Sequence, residues 1–124
     1  MNAVAQIFAV LAGLGHVAVW IMESFLFRRP AFYRLFLIRP EHVPAVRLWV
    51  VNQGFYNLFL GAGAIGGVVT LHLGDETVGR TLVLFCCACM MAAGIVLFFS
   101  ERRLWRSALG QAVPPLVVLL ASLV

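Results

Sequence analysis

No lysine occurs anywhere in this chain, and acids are nearly as scarce, with five aspartate and glutamate residues among 124 positions. Only 11% of residues are charged, against about a quarter in an ordinary soluble domain. By contrast 63% are hydrophobic, and the mean hydropathy is +1.00. Those proportions exclude a water-soluble fold. Alternating apolar and polar runs are missing too, which excludes a membrane β-barrel, whose strands must show one face to lipid and the other to a lumen. No second CxxC and no paired histidine accompanies Cys86 and Cys89, so a zinc site is incomplete. No basic residue precedes the first apolar segment, which argues against a cleavable signal peptide and for a retained first helix.

What is present is hydrophobic length. Four windows, Ala3–Phe27, Trp49–Leu71, Thr81–Phe99 and Leu104–Val124, each approach the roughly 20 apolar residues needed to cross a hydrocarbon core as helix. Lipid demands that backbone polar groups be satisfied within the segment. The expected fold is therefore an all-α membrane protein, a single domain over residues 1–124 that forms a four-transmembrane-helix bundle. The first connection, RRPAFYRLFLIRPEHVPAVR, is too apolar for a solvated loop and too charged for a span. It predicts a short interfacial helix between the first two spans, started by Pro30, with Phe32, Leu35 and Phe36 on one face and Pro40 closing the turn.

Positive charge is carried by nine arginines, and it is lopsided. Arg28, Arg29, Arg34, Arg39 and Arg47 lie in or beside the first connection, and Arg102, Arg103 and Arg106 in or beside the third, while Arg80 alone marks the second. Short arginine-rich loops stay cytoplasmic, so a multi-pass protein of the cell inner membrane with both termini external is expected. The net charge of +4 then reflects topology and contact with anionic lipid headgroups, not nucleic-acid binding.

Several motifs call for packing before chemistry. Gly61, Gly63 and Gly66 spell GxGxxG, but the dinucleotide fingerprint requires a preceding strand, which a membrane helix does not supply. Gly63 and Gly67, four apart, suit close helix approach instead. Cys86, Cys87 and Cys89 are read as small apolar packing residues, with thiol redox chemistry as the alternative. His72, Asp75 and Glu76 in the second connection are read as solvated. Neither a metal nor a cofactor is expected.

The stronger signal is a polar layer. Counting about 1.5 Å per residue from the cytoplasmic ends, Glu23 lies roughly 6 Å into the first span. Asn52 and Gln53 stand at a matching level on the second, with Tyr56 and Asn57 a turn deeper and Gln111 similarly placed on the fourth. His16 precedes Glu23 by two turns on one face. Facing lipid, each unpaired amide would cost a few kcal/mol, so these groups should turn inward as a ligand-binding set. Pro114 and Pro115 cannot donate to the carbonyls of Gly110 and Gln111, which predicts a kink with free acceptors beside that layer.

The combination of His16 and Glu23 with NQGFYNLFLGAG opening the second span, Cys89 with Gly94 in the third and Gln111 with Pro114 in the fourth resembles the domain of unknown function 1304 family of small bacterial membrane proteins. The likeness spans essentially the whole chain and implies four transmembrane helices and no established activity. The chain departs from it after Gly94, where IVLFFSERR replaces a more glycine- and tyrosine-containing helix end. On the residues themselves, the expected function is binding or passage of a small solute through a polar pocket open to the cytoplasmic leaflet. The alternatives are a membrane-embedded enzyme acting on a lipid-soluble substrate and a non-catalytic membrane partner subunit. Expected partners are the bilayer, a small-molecule ligand and, as a homo-oligomer, further copies of the chain. Reporter fusions at Gly74 and Val124 should read as external and a fusion near Arg39 as cytoplasmic; an internal C-terminus would overturn the topology.

Overall fold

Residues 1–124 are described by a computed structural model and form helices with no strand. Helix α1 spans Ala3–Ile21 and continues as a π-helical turn over Met22–Leu26. A short α2, Pro30–Leu35, is followed by a 3-10 turn at Pro40–His42 and then by α3, Val43–His72. Helix α4 covers Glu76–Ser100, and a 3-10 turn at Arg102–Leu104 leads into α5, Trp105–Ala121. Four helical segments are long and apolar enough to cross a membrane: Ala3–Leu26, Pro40–His72, Glu76–Ser100 and Arg102–Ala121.

Helix ends fall where local chemistry satisfies them. Asn2 caps α1 by accepting from the Ala5 N–H at 2.9 Å. Asp75 caps α4, accepting from Val78 N–H at 3.0 Å, so the helix begins at Glu76, ahead of the expected Thr81. Helix α3 begins at Val43 ahead of the expected Trp49, because Pro44 sits in its first turn, where a missing N–H costs nothing. At the far end of α5, Asn2 and Arg80 donate to the carbonyls of Ala121 and Ser122 at 2.6 and 2.7 Å. The arginine that stands apart from the other eight thus serves a helix C-terminus, the end that favours a cation. Between α4 and α5 the exposed Glu101 carboxyl accepts from the Arg103 side chain at 2.9 and 2.8 Å and from its backbone N–H at 3.1 Å. Those bonds hold it down at about 2.

Pro30 opens α2, as the connection's composition predicts. Pro40 does not close it. The reversal is made by Leu37 at φ 59, with Leu37 N–H bonded to Arg34 O at 3.0 Å and Ile38 N–H to Tyr33 O at 2.9 Å. That pair of bonds ends a helix around a left-handed residue, where glycine is usual and leucine costs about 1–2 kcal/mol.

The long helices form a closed ring in which α1 packs on α3, α3 on α4, α4 on α5 and α5 back on α1. Small residues set the spacing. A Cβ on Gly61 would lie 2.7 Å from the Gly13 carbonyl, one on Gly79 would lie 2.7 Å from the Gly67 carbonyl, and one on Gly94 would lie 3.0 Å from the Ala108 carbonyl. At the end that carries both termini, Ala5, Ala9, Val68, Val83, Cys87 and Val118 pack into one cluster. Ala12, Ala64, Cys86 and Met90 form the next layer. The three cysteines are free, and Cys86 Sγ packs 2.5 Å from where a Gly63 Cβ would be. His72 pairs with Gln6 at 2.8 Å.

These contacts make the ring intolerant of a single methyl. Gly79→Ala should destabilise the bundle by roughly 1–3 kcal/mol, because the added carbon meets backbone of α3 that cannot rotate away. Gly66→Ala, whose Cβ meets nothing within 4 Å, should be neutral or stabilising by up to about 1 kcal/mol from helix propensity. Unfolding of the two variants in mixed micelles checks the contrast.

Candidate functional site

The cluster around Ala5 and the layer around Ala12 fill one half of the ring; in the other half lies a cavity of about 330 Å³. Its walls come chiefly from α1 and α5. Leu35 and Phe36 at the end of α2, with Leu104 ahead of α5, line the arginine-rich end. Helix α4 contributes Leu97 alone.

Glu23 reaches this space from the π-helical turn, which holds one residue more than an α-turn and so resets the angular position of everything after Ile21. The turn is held against α3 by Ser24 Oγ donating to Val51 O at 3.2 Å. Gly54 permits that approach: a Cβ there would collide with Ser24 Oγ and lie 3.1 Å from Glu23 Cβ. Three residues further along α3, Asn57 is 8% exposed and its amide donates to Glu23 Oε2 at 3.0 Å and to Gln53 O at 3.1 Å. No cation pairs with Glu23, since the ion pairs of the structure are Met1–Glu76 and Glu101–Arg103.

His16, 5% exposed, lines the cavity from α1. Its Nδ1 lies 2.9 Å from Ala12 O, and because a carbonyl only accepts, Nδ1 carries the proton. Nε2 is buried and without a partner. Gln111 lines the opposite wall, with Ser107, Gly110 and Pro114 beside it. Both prolines sit inside α5, which continues through them without interruption. The carbonyls of Gly110 and Gln111 still lack their i+4 donors, and both residues line the cavity.

The cavity joins four of the seven residues expected in the site, namely His16, Glu23, Asn57 and Gln111. Asn52, Gln53 and Tyr56 are exposed and do not line it. Asn52 donates to Leu48 O of its own helix at 3.0 Å, and Tyr56 is 64% exposed. The reason is angular. Successive helical residues stand about 100° apart, so the ridge through Asn52 and Tyr56 cannot face inward together with the one through Asn57. On α3 the inward stripe is Gly54, Asn57, Gly61 and Ala64. Trp20, between His16 and Glu23 in sequence, also turns away and packs edge-on against Phe25 and Phe55 with centroids at 5.5 and 5.8 Å.

Among the wall residues absent from the sequence-based set are Gly15 and Gly110. A Cβ on either would meet nothing within 4 Å, so unlike Gly13 or Gly61 they serve no helix contact. Glycine inside a helix, one residue off the packing stripe, is the signal that could have found them.

The whole cavity lies between Leu11 and Pro114. A match to the family described as protein of unknown function (DUF1304) covers residues 10–123 and so contains every wall residue. The chain belongs to the DUF1304 family. No curated protein and no solved structure matches it. Assignment to DUF1304 carries no activity with it, and the chemistry must come from the site itself.

The hydrogen bonds separate the asparagines. Asn57→Leu removes the donor that Glu23 depends on and should cost about 1–3 kcal/mol. Asn52→Leu gives up only a local bond at an exposed position and should stay within about 0.5 kcal/mol of the parent. Chemical unfolding of the detergent-solubilised variants distinguishes them; equal losses would contradict the geometry.

Proposed function

We propose that the protein is a multi-pass membrane protein of the inner membrane, with both termini external, and that its cavity binds and passes a small solute reached from the cytoplasmic side. Support for the membrane setting comes from the bundle's outside. Only 21 of 124 residues are buried, and Leu14, Phe59, Phe85 and Val96 are each more than half exposed. An apolar surface that continuous would drive association in water, whereas hydrocarbon covers it. The concentration of eight arginines at one end supports the orientation, and it places anionic headgroups next to α2.

The observation that carries the solute reading is space maintained beside polar groups. Alanine at Gly15 or Gly110 would fit and would gain about 1 kcal/mol of helix propensity at each position. Glycine leaves the wall open instead. Polar groups serving only as interhelical adhesive, worth about 0.6–2 kcal/mol per contact, need no void. The cavity has the polar content and, at about 330 Å³, the lower range of size that small-molecule sites show.

Filling the space tests this. Gly110→Leu should fold with stability equal to the parent's or up to about 1 kcal/mol higher, because its Cβ meets nothing within 4 Å and leucine is the better helix former. Protein purified from its native membrane should release a small molecule on denaturation, detected by mass spectrometry, that is depleted in Gly110→Leu and in Glu23→Gln. Identical small-molecule content in parent and both variants, or a crystal structure with His16, Glu23, Asn57 and Gln111 packed dry, would overturn the reading. Once the molecule is known, its movement across sealed vesicles separates passage from turnover by an acid–base enzyme, which needs no gradient. A stable complex with another membrane protein, with neither flux nor turnover, would identify a partner subunit.

A further inference from the structure

The solute-binding reading leaves the class of solute open, and the hydrogen-bonding inventory of the cavity narrows it. Taken element by element, the wall presents an excess of acceptors. From α1 and its π-helical turn come the Glu23 carboxyl and the His16 ring, whose Nε2 is itself closed off from the space. From α3 comes Asn57, whose amide hydrogens are already given to Glu23 and Gln53, leaving its own oxygen. From α5 come the Gly110 and Gln111 carbonyls without i+4 donors, along with the Gln111 amide and the Ser107 hydroxyl, each able to act either way. Helix α4 offers only Leu97, and α2 only Leu35 and Phe36. No arginine lines the cavity, although eight crowd that end of the molecule.

A cavity that holds one carboxyl, no cation and several unanswered acceptors is matched by a ligand that brings N–H donors and positive charge. An anion would face the carboxyl with no compensating charge, and a ligand rich in acceptors would leave the wall's acceptors unpaired, which is expensive away from water. The size of the space bears on which cation. At about 30 Å³ per water-sized group, 330 Å³ has room for on the order of ten such groups, far more than a single metal ion fills, and Leu11, Val19, Met22, Phe36 and Leu97 supply apolar wall. Resting on the solute-binding reading, we propose that the ligand is a protonated amine with a compact apolar body, its ammonium donating to Glu23 and its body lying against α2 and α4.

The experiment uses the full chain in lipid nanodiscs at neutral pH and isothermal titration calorimetry with six defined probes: propylammonium and 2-phenylethylammonium, the matching alcohols, and the matching carboxylates. At least one ammonium should bind roughly tenfold or more tightly than its alcohol, as a charge-assisted bond confers, and neither carboxylate should bind. Glu23→Gln should remove the ammonium preference. Gly110→Leu should abolish binding of all probes. Alcohols binding as well as ammoniums, carboxylates binding better, or an ammonium preference that survives Glu23→Gln would each overturn the amine assignment while leaving the cavity as a solute site. Sodium chloride alone displacing the ammonium would overturn it in favour of an inorganic cation. Binding unaffected by Gly110→Leu, or absent for every probe, would overturn the amine assignment and count against the cavity reading as well.

Discussion

A carboxyl group set among apolar helices must be answered by something, and here a single amide answers it. The 3.0 Å bond from Asn57 to Glu23 joins the turn that ends α1 to the middle of α3. Much of the local architecture exists to permit it. Gly54 removes the side chain that would hold the two backbones apart, Ser24 ties the turn to Val51, and Gly13 against Gly61 brings the same helices together two turns further along. Without that close approach, the amide and the carboxyl could not meet. The opposite half of the ring is packed around Ala5, Val83 and Val118 and has no such polar demand.

Small residues are used in two opposed ways. Gly61, Gly67, Gly79 and Gly94 sit where another helix's backbone occupies the missing side chain's place. Gly15 and Gly110 sit where nothing does. The first kind gains dispersion contact along a close crossing, which helices in an apolar medium require because burial alone offers them little. The second kind forgoes such contact. A pair of glycines of the second kind on facing helices, next to the residues whose carbonyls Pro114 and Pro115 release, marks the only region of the bundle where space, acceptors and a carboxyl coincide.

The four long helices were legible in the sequence because apolar length is a strong constraint, and Pro30 correctly marked the start of α2. The site was legible in part. Depth along each helix placed His16, Glu23, Asn57 and Gln111 at compatible levels, but depth says nothing of angle, and so Asn52, Gln53 and Tyr56 were grouped with them. An angular count on α3 from Gly54 and Gly61 would have set Asn52 and Tyr56 apart from Asn57, though not Gln53, which stands on Asn57's own ridge. The π-helical turn was beyond reach, since MESFL carries no residue that demands it. Leu37 at φ 59 was equally invisible, because a leucine there contradicts local preference and is imposed by the surrounding chain.

That π-helical turn sets the phase of Glu23. Five residues, Met22–Leu26, occupy a stretch that carries one more residue than regular α-helix would, and Phe27 immediately after them is 1% exposed. The surplus residue is a dislocation in an otherwise periodic lattice. Without it, the segment bearing Glu23 would stand about 100° away against His16. One inserted residue thus decides to which face of the protein Glu23 is presented.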